Sequence, residues 1–382
     1  MIDTEIKEKK DCTGCYACAS ICPTNCISMT NDKEGFWYPE VDNDKCIKCG
    51  KCINVCPPIN YEAAKNQPIA YACINKDESI RLESSSGGIF TLIAEKIIEN
   101  GGVIFGAEFG ERFEVVHGYV DTKNEIKRFR GSKYVQSRIG DTYKKAKEVL
   151  DSGKEVLFSG TPCQISGLKT FLGKSYNNLL CIDIICHGVP SPMVWKKYIK
   201  YREEKAGSST ERIAFRRKDE GWKRFSVSFT FKNDTEYRQN FREDLFMKAF
   251  LKDICLRPSC YDCKFKTVHR DSDITLADFW GVQNILPDLD DDMGTSLILI
   301  NSYAGQAMLE QIKEKVICKK VDLNEVIEYN TAAIKSAEYN YKREYFFKEI
   351  NEVPFDKLVN KYCSEKLVVR FKRKLKALIC KK

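Results

Sequence analysis

Two cysteine runs near the N-terminus constrain this chain more than any other feature. The first reads Cys12-x-x-Cys15-x-x-Cys18-x-x-x-Cys22-Pro23, and the second repeats it as Cys46-x-x-Cys49-x-x-Cys52-x-x-x-Cys56-Pro57. Three thiolates at two-residue spacing wrap three corners of one iron–sulfur cube, while the fourth, set apart and followed by proline, is aimed at the other cube. The pattern predicts two [4Fe-4S] clusters with crossed ligation. Cys12, Cys15 and Cys18 share one with Cys56; Cys46, Cys49 and Cys52 share the other with Cys22. A zinc reading needs closed groups of four ligands and leaves the third cysteine of each run and its Cys-Pro ending unexplained. A disulfide framework belongs to oxidising compartments. Met1 to Lys10 is charged and lacks an apolar core, so the expected location is cytoplasmic. Cys26 falls outside the pattern and reads as a small buried residue.

With 382 residues the chain has room for two or three domains. No run of about eighteen apolar residues occurs, so no membrane-spanning helix is expected. The net charge of +8 has a local origin: Lys366, Arg370, Lys372, Arg373, Lys374, Lys376, Lys381 and Lys382 carry it without an acid among them. Removing those eight from the 62 basic residues leaves a body balanced against 54 acidic ones. Nucleic-acid enzymes carry their basic surface on the folded body, so no nucleic-acid partner is expected. Apolar residues interleave with the basic ones near helical spacing, which suits peripheral contact with the inner face of an anionic membrane or a solvated, partner-docking helix.

Behind the cysteine runs the body alternates strands and helices. Ser84-Ser85-Ser86-Gly87-Gly88 leads into a helical pattern from Ile89 to Glu99. Free backbone N–H groups and the helix dipole there suit a phosphate or an anionic flavin edge, and an ordinary N-cap accounts for the turn equally well. Gly131-Ser132-Lys133-Tyr134 follows Arg130; a basic loop beside glycine grips a phosphate or is simply solvated. Glu155 to Phe158 reads as a strand that opens into Gly160-Thr161-Pro162-Cys163, and Leu179 to Cys186 as a second strand ending in Cys186-His187-Gly188. Strand, glycine turn, helix places functional groups at the carboxyl end of a strand. From Glu211 the pattern changes to a half-buried antiparallel strand, Phe225 to Phe231, with apolar residues alternating with Ser226, Ser228 and Thr230.

Cys163 and Cys186 stand in turns beside glycine, and Cys260-x-x-Cys263 is a metal-type pair. Together they predict a third tetrathiolate site, with iron–sulfur favoured over zinc because two clusters already lie upstream. Cys73, Cys181, Cys318, Cys363 and Cys380 read as small buried hydrophobes.

Gly160-Thr161-Pro162-Cys163-Gln164, Cys186-His187-Gly188-Val189-Pro190-Ser191, Asp273-Ile274-Thr275 and Asp278-Phe279-Trp280-Gly281 resemble the bacterial branch of the coenzyme F420 hydrogenase/dehydrogenase beta-subunit family. The resemblance runs from Asp11 to about residue 315. It implies an iron–sulfur flavoprotein oxidoreductase holding FAD, which passes electrons between a one-electron carrier and a two-electron small-molecule substrate. Some bacterial members accompany cell-surface polysaccharide genes. It makes Cys163, Cys186, Cys260 and Cys263 cluster ligands, with Cys255 in reserve. It also makes Ser84 to Gly88, Gly131 to Tyr134 and Gly160 to Pro162 cofactor contacts. The archaeal F420-reducing members differ at the Cys-His-Gly-Val-Pro-Ser and Asp-Phe-Trp-Gly blocks, which speaks against F420 as substrate here.

The expected fold class is α+β or α/β: a ferredoxin-like two-cluster module over residues 1–60, a mixed α/β flavin- and cluster-binding domain over 68–330, and a helical basic tail over 331–382. The expected partner is ferredoxin or another redox protein, and an oligomer is compatible with the sequence. A subunit that only delivers electrons to a partner enzyme is the rival class. Radical S-adenosylmethionine chemistry wants Cys-x-x-x-Cys-x-x-Cys, which does not occur. Of the three histidines, His187 is the candidate acid or base, its alternative being an imidazole that bonds the turn. His269 and Arg270 read as phosphate contacts or as surface residues following the CxxC pair.

Overall fold

The computed structural model describes residues 1–364. The basic residues from Lys366 onward, Cys380 and the membrane-surface expectation lie outside the described residues. Among the described residues no helix is long and apolar enough to cross a membrane.

The N-terminal module carries a hairpin, β1 (Ile27–Asn31) against β2 (Trp37–Val41), and two short helices, Ala17–Ile21 and Lys51–Asn54. The two cysteine runs share a backbone device. Gly14 and Lys48, the last spacer residues of each first Cys-x-x-Cys, have φ of 68° and 55°, and Tyr16 and Gly50, just past the next cysteine, have 69° and 73°. Left-handed residues on both sides of Cys15 and of Cys49 curl the chain into a concave loop, the geometry that turns backbone N–H groups towards an anionic guest. At Gly14 glycine is also needed sterically, because a Cβ would sit 2.6 Å from Gln136 Nε2.

The body is built on an eight-stranded mixed sheet. Its strands are β3 (Ile69–Asn75), β4 (Val103–Phe109), β5 (Val115–Val120), β6 (Val156–Ser159) and β7 (Leu179–Ile184), then β11 (Ile274–Asp278), β12 (Ser296–Ile300) and β13 (Val316–Val321). They lie in the order β13-β3-β12-β11-β7-β6-β4-β5. Strands β4, β6, β7 and β11 run parallel, and β12 is antiparallel to both β11 and β3. The continuous apolar runs of β6 and β7 fit strands covered on both faces. Successive residues of β4 separate accordingly: Ile104 packs with Ile89, Leu92, Ile93 and Ile97 of helix Ile89–Glu99 on one face, and Val103 and Phe105 pack with Tyr143, Ala146, Ile165 and Leu168 on the other.

Between β7 and β11 the chain inserts helix Pro192–Ala206 and a second sheet of β8 (Thr210–Arg217), β9 (Ser226–Phe231) and β10 (Glu236–Asn240), in the order β10-β9-β8. Val227, Phe229 and Phe231 of β9 join Trp195 and Tyr198 in the largest core. Ser226 and Ser228 are buried as well, so both faces of this strand, and not the apolar face alone, are covered.

The described part of the C-terminal segment is a packed element. Phe346 and Phe347 of helix Arg343–Glu349 and Leu358 and Val359 of helix Phe355–Cys363 lie in that same core. Arg343 grips Glu34 of the N-terminal hairpin through Nη1–Oε1 at 3.0 Å and Nη2–Oε2 at 2.5 Å. It also donates to the Leu256 carbonyl. A second buried arginine completes the seating. Arg257 Nε donates to the Cys12 carbonyl at 2.8 Å, its Nη2 to the Trp37 carbonyl at 3.0 Å, and its guanidinium lies 4.2 Å from the Tyr38 ring centroid. Fully buried, it is a cation held by carbonyls and aromatic faces.

Candidate functional site: three thiol sets and the sheet edge that carries them

Cys22, Cys46, Cys49 and Cys52 line one cavity of about 240 Å³. This set draws one cysteine from the first run and three from the second. Cys26 lines it too, with its Sγ 3.3 Å from Cys22 Sγ; it is buried, and it also stands beside a ligand candidate. Cys49 is exposed, so this is the set nearest solvent. Cys12, Cys15, Cys18 and Cys56 form the inner set. All four are buried, and burial with mutual repulsion of their negative forms drives the Cys18 thiol well above its ordinary range. Burial likewise pushes Cys15 up to about 11 and Cys56 to about 12.

The third set is Cys163, Cys186, Cys260 and Cys263, which line a single narrower cavity of about 30 Å³ with Thr13, His187, Arg257, Lys266 and Arg270. Its cysteines arrive from separate elements. Cys163 sits in the first turn of helix Pro162–Leu172, where Thr161 and Gln164 form a capping box. Cys186 follows the end of β7, and Cys260 closes a single 3-10 turn. Val189 N–H points at Cys260 Sγ at 3.4 Å. No acidic residue lines the cavity, whereas two arginines and a lysine do; that surplus would offset the negative charge of four thiolates. Cys255 stays out, buried in the apolar core near Cys363. Among the described residues no group of three or more His, Cys, Asp or Glu side chains is drawn together as for a lone metal ion. The thiols line cavities instead.

The inner and third sets are neighbours. Cys15 and Cys163 are close enough to repel each other electrostatically, and Thr13, inside the first run, lines the third cavity. Gly167 lets helix Pro162–Leu172 lie against the inner set: a Cβ there would come 3.0 Å from Cys15 Cβ and 3.1 Å from its Sγ.

The carboxyl ends of β3, β4, β6, β7 and β11 share one edge of the sheet, and the sequence-proposed cofactor residues gather along it. Ser85 and Ser132 join the first two stretches: Ser132 N–H donates to Ser85 Oγ at 2.6 Å, and the hydroxyls meet at 2.8 Å. Ser84 Oγ donates to the Ile80 carbonyl and Ser86 Oγ to the Thr295 carbonyl, which fixes the turn. Gly87 is required by close approach, since a Cβ would sit 2.4 Å from the Cys73 carbonyl oxygen. Gly88 is left-handed and caps helix Ile89–Glu99 without a side-chain hydrogen bond. Gly131 is left-handed and exposed. Lys133 Nζ is spent on the carbonyls of Phe129, Arg130 and Gly131, and burial lowers it to about 8. Tyr134 stacks on Phe250 with its hydroxyl towards Arg216. Gly160, Thr161 and Pro162 lie apart from the serine turn. Gly160 N–H donates to the Ile182 carbonyl, Thr161 caps its helix, and Pro162 lines the third thiol cavity.

Lys218 and Arg216 carry no local sequence signal. Lys218 braces the serine turn by donating to the carbonyls of Arg81, Ser86 and Met293, and burial lowers it to about 7. Arg216, buried beside it, pairs with Asp278 at 2.5 Å while its Nε and Nη2 have no partner. Asp278 also accepts from Trp222 Nε1 at 3.0 Å, and Trp222 stacks on Trp280 at 4.9 Å. His187 Nε2 pairs with Asp253 Oδ1 at 2.5 Å, and its ring stands edge-on to Phe250. It therefore bonds a distant carboxylate rather than its own turn. His269 Nδ1 meets the Asn66 carbonyl at 2.5 Å. Arg270 is buried, not a surface residue: it bonds the carbonyls of Phe265 and Ala333 and lines the third cavity.

Comparison with known proteins makes this an iron–sulfur protein of the oxidoreductase class, with eight of the twelve cysteines inside the matched dicluster region. Residues 153–326 match the C-terminal region of the beta subunit of coenzyme F420 hydrogenase/dehydrogenase, and residues 11–58 match the 4Fe-4S dicluster domain. The chain thus carries, behind a dicluster domain, a region that matches the C-terminal domain of the coenzyme F420 hydrogenase/dehydrogenase beta-subunit family. It is 25% identical over 203 residues to the coenzyme F420-dependent sulfite reductase of Methanocaldococcus jannaschii, covering 51% of this chain and 30% of that protein. Over 76 residues it is 30% identical to the NADH-quinone oxidoreductase subunit I of Pelobacter propionicus, covering 18% of this chain and 41% of that one. The chain thus spans less than half the length of either relative. A chain from the F420-reducing [NiFe] hydrogenase complex of Methanosarcina barkeri superposes with a TM-score of 0.47 at 16% identity, over 73% of this chain and 98% of that one.

Proposed function

We propose that the chain is an iron–sulfur flavoprotein oxidoreductase in which electrons enter at the N-terminal module and are used at the sheet edge of the body. The observation that carries this reading is the third thiol set: Cys163, Cys186, Cys260 and Cys263 around one cavity, adjacent to the inner N-terminal set. The half-exposed set of Cys22, Cys46, Cys49 and Cys52 is the entrance, and ferredoxin or another one-electron redox protein is the donor. Cys12, Cys15, Cys18 and Cys56 hold the relay cluster. Arg257, Lys266 and Arg270 hold the third cluster's charge in place.

The sheet edge suits FAD on its chemistry. The uncapped N-terminus at Gly88 and the two unpartnered donor nitrogens of buried Arg216 favour an anionic ligand. Gly87 allows close backbone approach there. A bound flavin exchanges single electrons with clusters and a hydride equivalent with a substrate. Ser84, Ser85, Ser86 and Ser132 build the turn that receives the ligand, Lys218 keeps that turn in shape, and His187, held by Asp253, is the candidate proton donor. The two-electron substrate is a small molecule, and surface-polysaccharide metabolism is the setting that the resemblance suggests.

Anaerobic reconstitution tests this. About twelve irons per chain are expected for three four-iron cubes, falling by one cube in Cys163→Ala/Cys260→Ala, with FAD released on denaturation. A full count in that variant refutes the third site. Three clusters without flavin leave an electron-delivery subunit in place of an enzyme.

A further inference from the structure

Two thiols outside all three sets lie in contact. Cys73 on β3 and Cys318 on β13 are direct cross-strand partners, and their Sγ atoms are 2.7 Å apart. Directly opposed residues of an antiparallel pair have Cα atoms about 4.5–5.5 Å apart. A disulfide needs about 4.4–6.8 Å, so the backbone already stands at bonding separation. The two environments differ. Cys73 is fully buried in the core under helices Ile89–Glu99 and Tyr303–Ile312, whereas Cys318 sits half-buried on the outermost strand of the sheet.

We propose that Cys73 and Cys318 are a reversible dithiol–disulfide pair, oxidised by a low-molecular-weight disulfide, whose closure staples the edge strand β13 to β3. Cys318 is the attacking thiol because it alone is reachable. The neighbouring Cys73 thiol lowers its pKa by hydrogen bonding, and Glu310 is the acid that opposes this. Its thiolate attacks one sulfur of the oxidant R–S–S–R, forming a Cys318–S–S–R bond and expelling RS⁻. Cys73 then loses its proton and attacks Cys318 Sγ, forming the Cys73–Cys318 bond and expelling a second RS⁻. The protein gives up two electrons and two protons, and the oxidant becomes two thiols. Lys319 and Lys320, exposed beside Cys318, favour an anionic oxidant. Closure has a place to act: Cys73 presents its carbonyl to Gly87, and Asn75, two residues on, donates to the Gly87 carbonyl at 2.8 Å. The staple therefore fixes the strand that supports the serine turn.

The chemistry is independent of clusters and flavin, so its test stands apart from theirs. The reconstituted full-length protein is incubated anaerobically with oxidised glutathione, alkylated, digested and mapped by mass spectrometry. The expected product is a peptide pair joined through Cys73 and Cys318 that dithiothreitol separates. Cys318→Ser should give neither the pair nor glutathione on Cys73. Cys73→Ala should trap glutathione on Cys318. Recovery of both cysteines fully alkylated in the wild-type protein overturns the proposal whether or not either variant folds, and so does glutathione on Cys73 in Cys318→Ser.

Discussion

The Glu34–Arg343 pair links the N-terminal hairpin to the C-terminal segment, and its worth follows from its burial. Glu34 is 8% exposed and Arg343 4%. The guanidinium makes both bonds to the carboxylate and two to the Leu256 carbonyl, and it lies 4.6 Å from the Phe347 ring centroid. Breaking one side of such a pair leaves a buried charge without its partner and costs about 3–5 kcal/mol. Glu34→Gln keeps the shape and some hydrogen bonding, so about 3 kcal/mol is expected. Arg343→Met also strands the Leu256 carbonyl, so its loss should lie near 5 kcal/mol on that scale. The double variant leaves no lone buried charge and should lose about 2–3 kcal/mol less than the sum of the singles. Anaerobic urea denaturation of the reconstituted protein, followed by tryptophan fluorescence and cluster absorbance, measures all four states. Single variants within about 0.5 kcal/mol of wild type, or strictly additive effects, would show that this pair does not seat the module.

Two further predictions concern the body. Burial lifts Asp183 from an ordinary 3.8 to about 6, against the pull of Arg270. Because the folded value is the higher one, the stability this carboxyl confers is complete below the unfolded value and is lost as pH rises from about 4 to about 6. The swing is about 3 kcal/mol for a shift of this size, and Asp183→Asn should flatten that part of a melting-temperature profile; parallel profiles for the two proteins would contradict it. At Gly167 helix propensity and packing oppose each other. Alanine gains about 1 kcal/mol in a helix interior, but its Cβ would meet Cys15 and the Tyr143 hydroxyl near 3 Å. Overpacking of about 1–3 kcal/mol wins, so Gly167→Ala should melt lower, and a higher melting temperature would refute the tight contact.

Local chemistry was readable from sequence and long-range register was not. The crossed grouping of Cys22 with Cys46, Cys49 and Cys52 follows from spacing within one short module. Cys163 and Cys186 were accessible because each follows a parallel strand, whose loops reach a common edge, and Cys260 and Cys263 because of their metal-type spacing. Arg257 and Lys266 escaped notice, and Arg270 read as a phosphate contact or a surface residue, because isolated basic residues look the same whether they face water or a cavity. Cys73 and Cys318 read as bland because no periodicity reveals that strands 245 positions apart are neighbours. Residues 331–364 gave a helical composition, yet only the tertiary structure shows Phe346 and Leu358 in the main core.

Helix Pro162–Leu172 touches two thiol sets at once, with Cys163 in its first turn and Gly167 against Cys15. Four residues of α-helix span about 6 Å, and a hydrogen-bonded helix does not stretch. The helix is therefore a ruler between the two sites. Electron tunnelling falls exponentially with distance, so a ruler of fixed length sets a transfer rate that loop changes elsewhere leave untouched. On the proposed function, the loops along the sheet edge could then change what is reduced without retuning how fast electrons arrive.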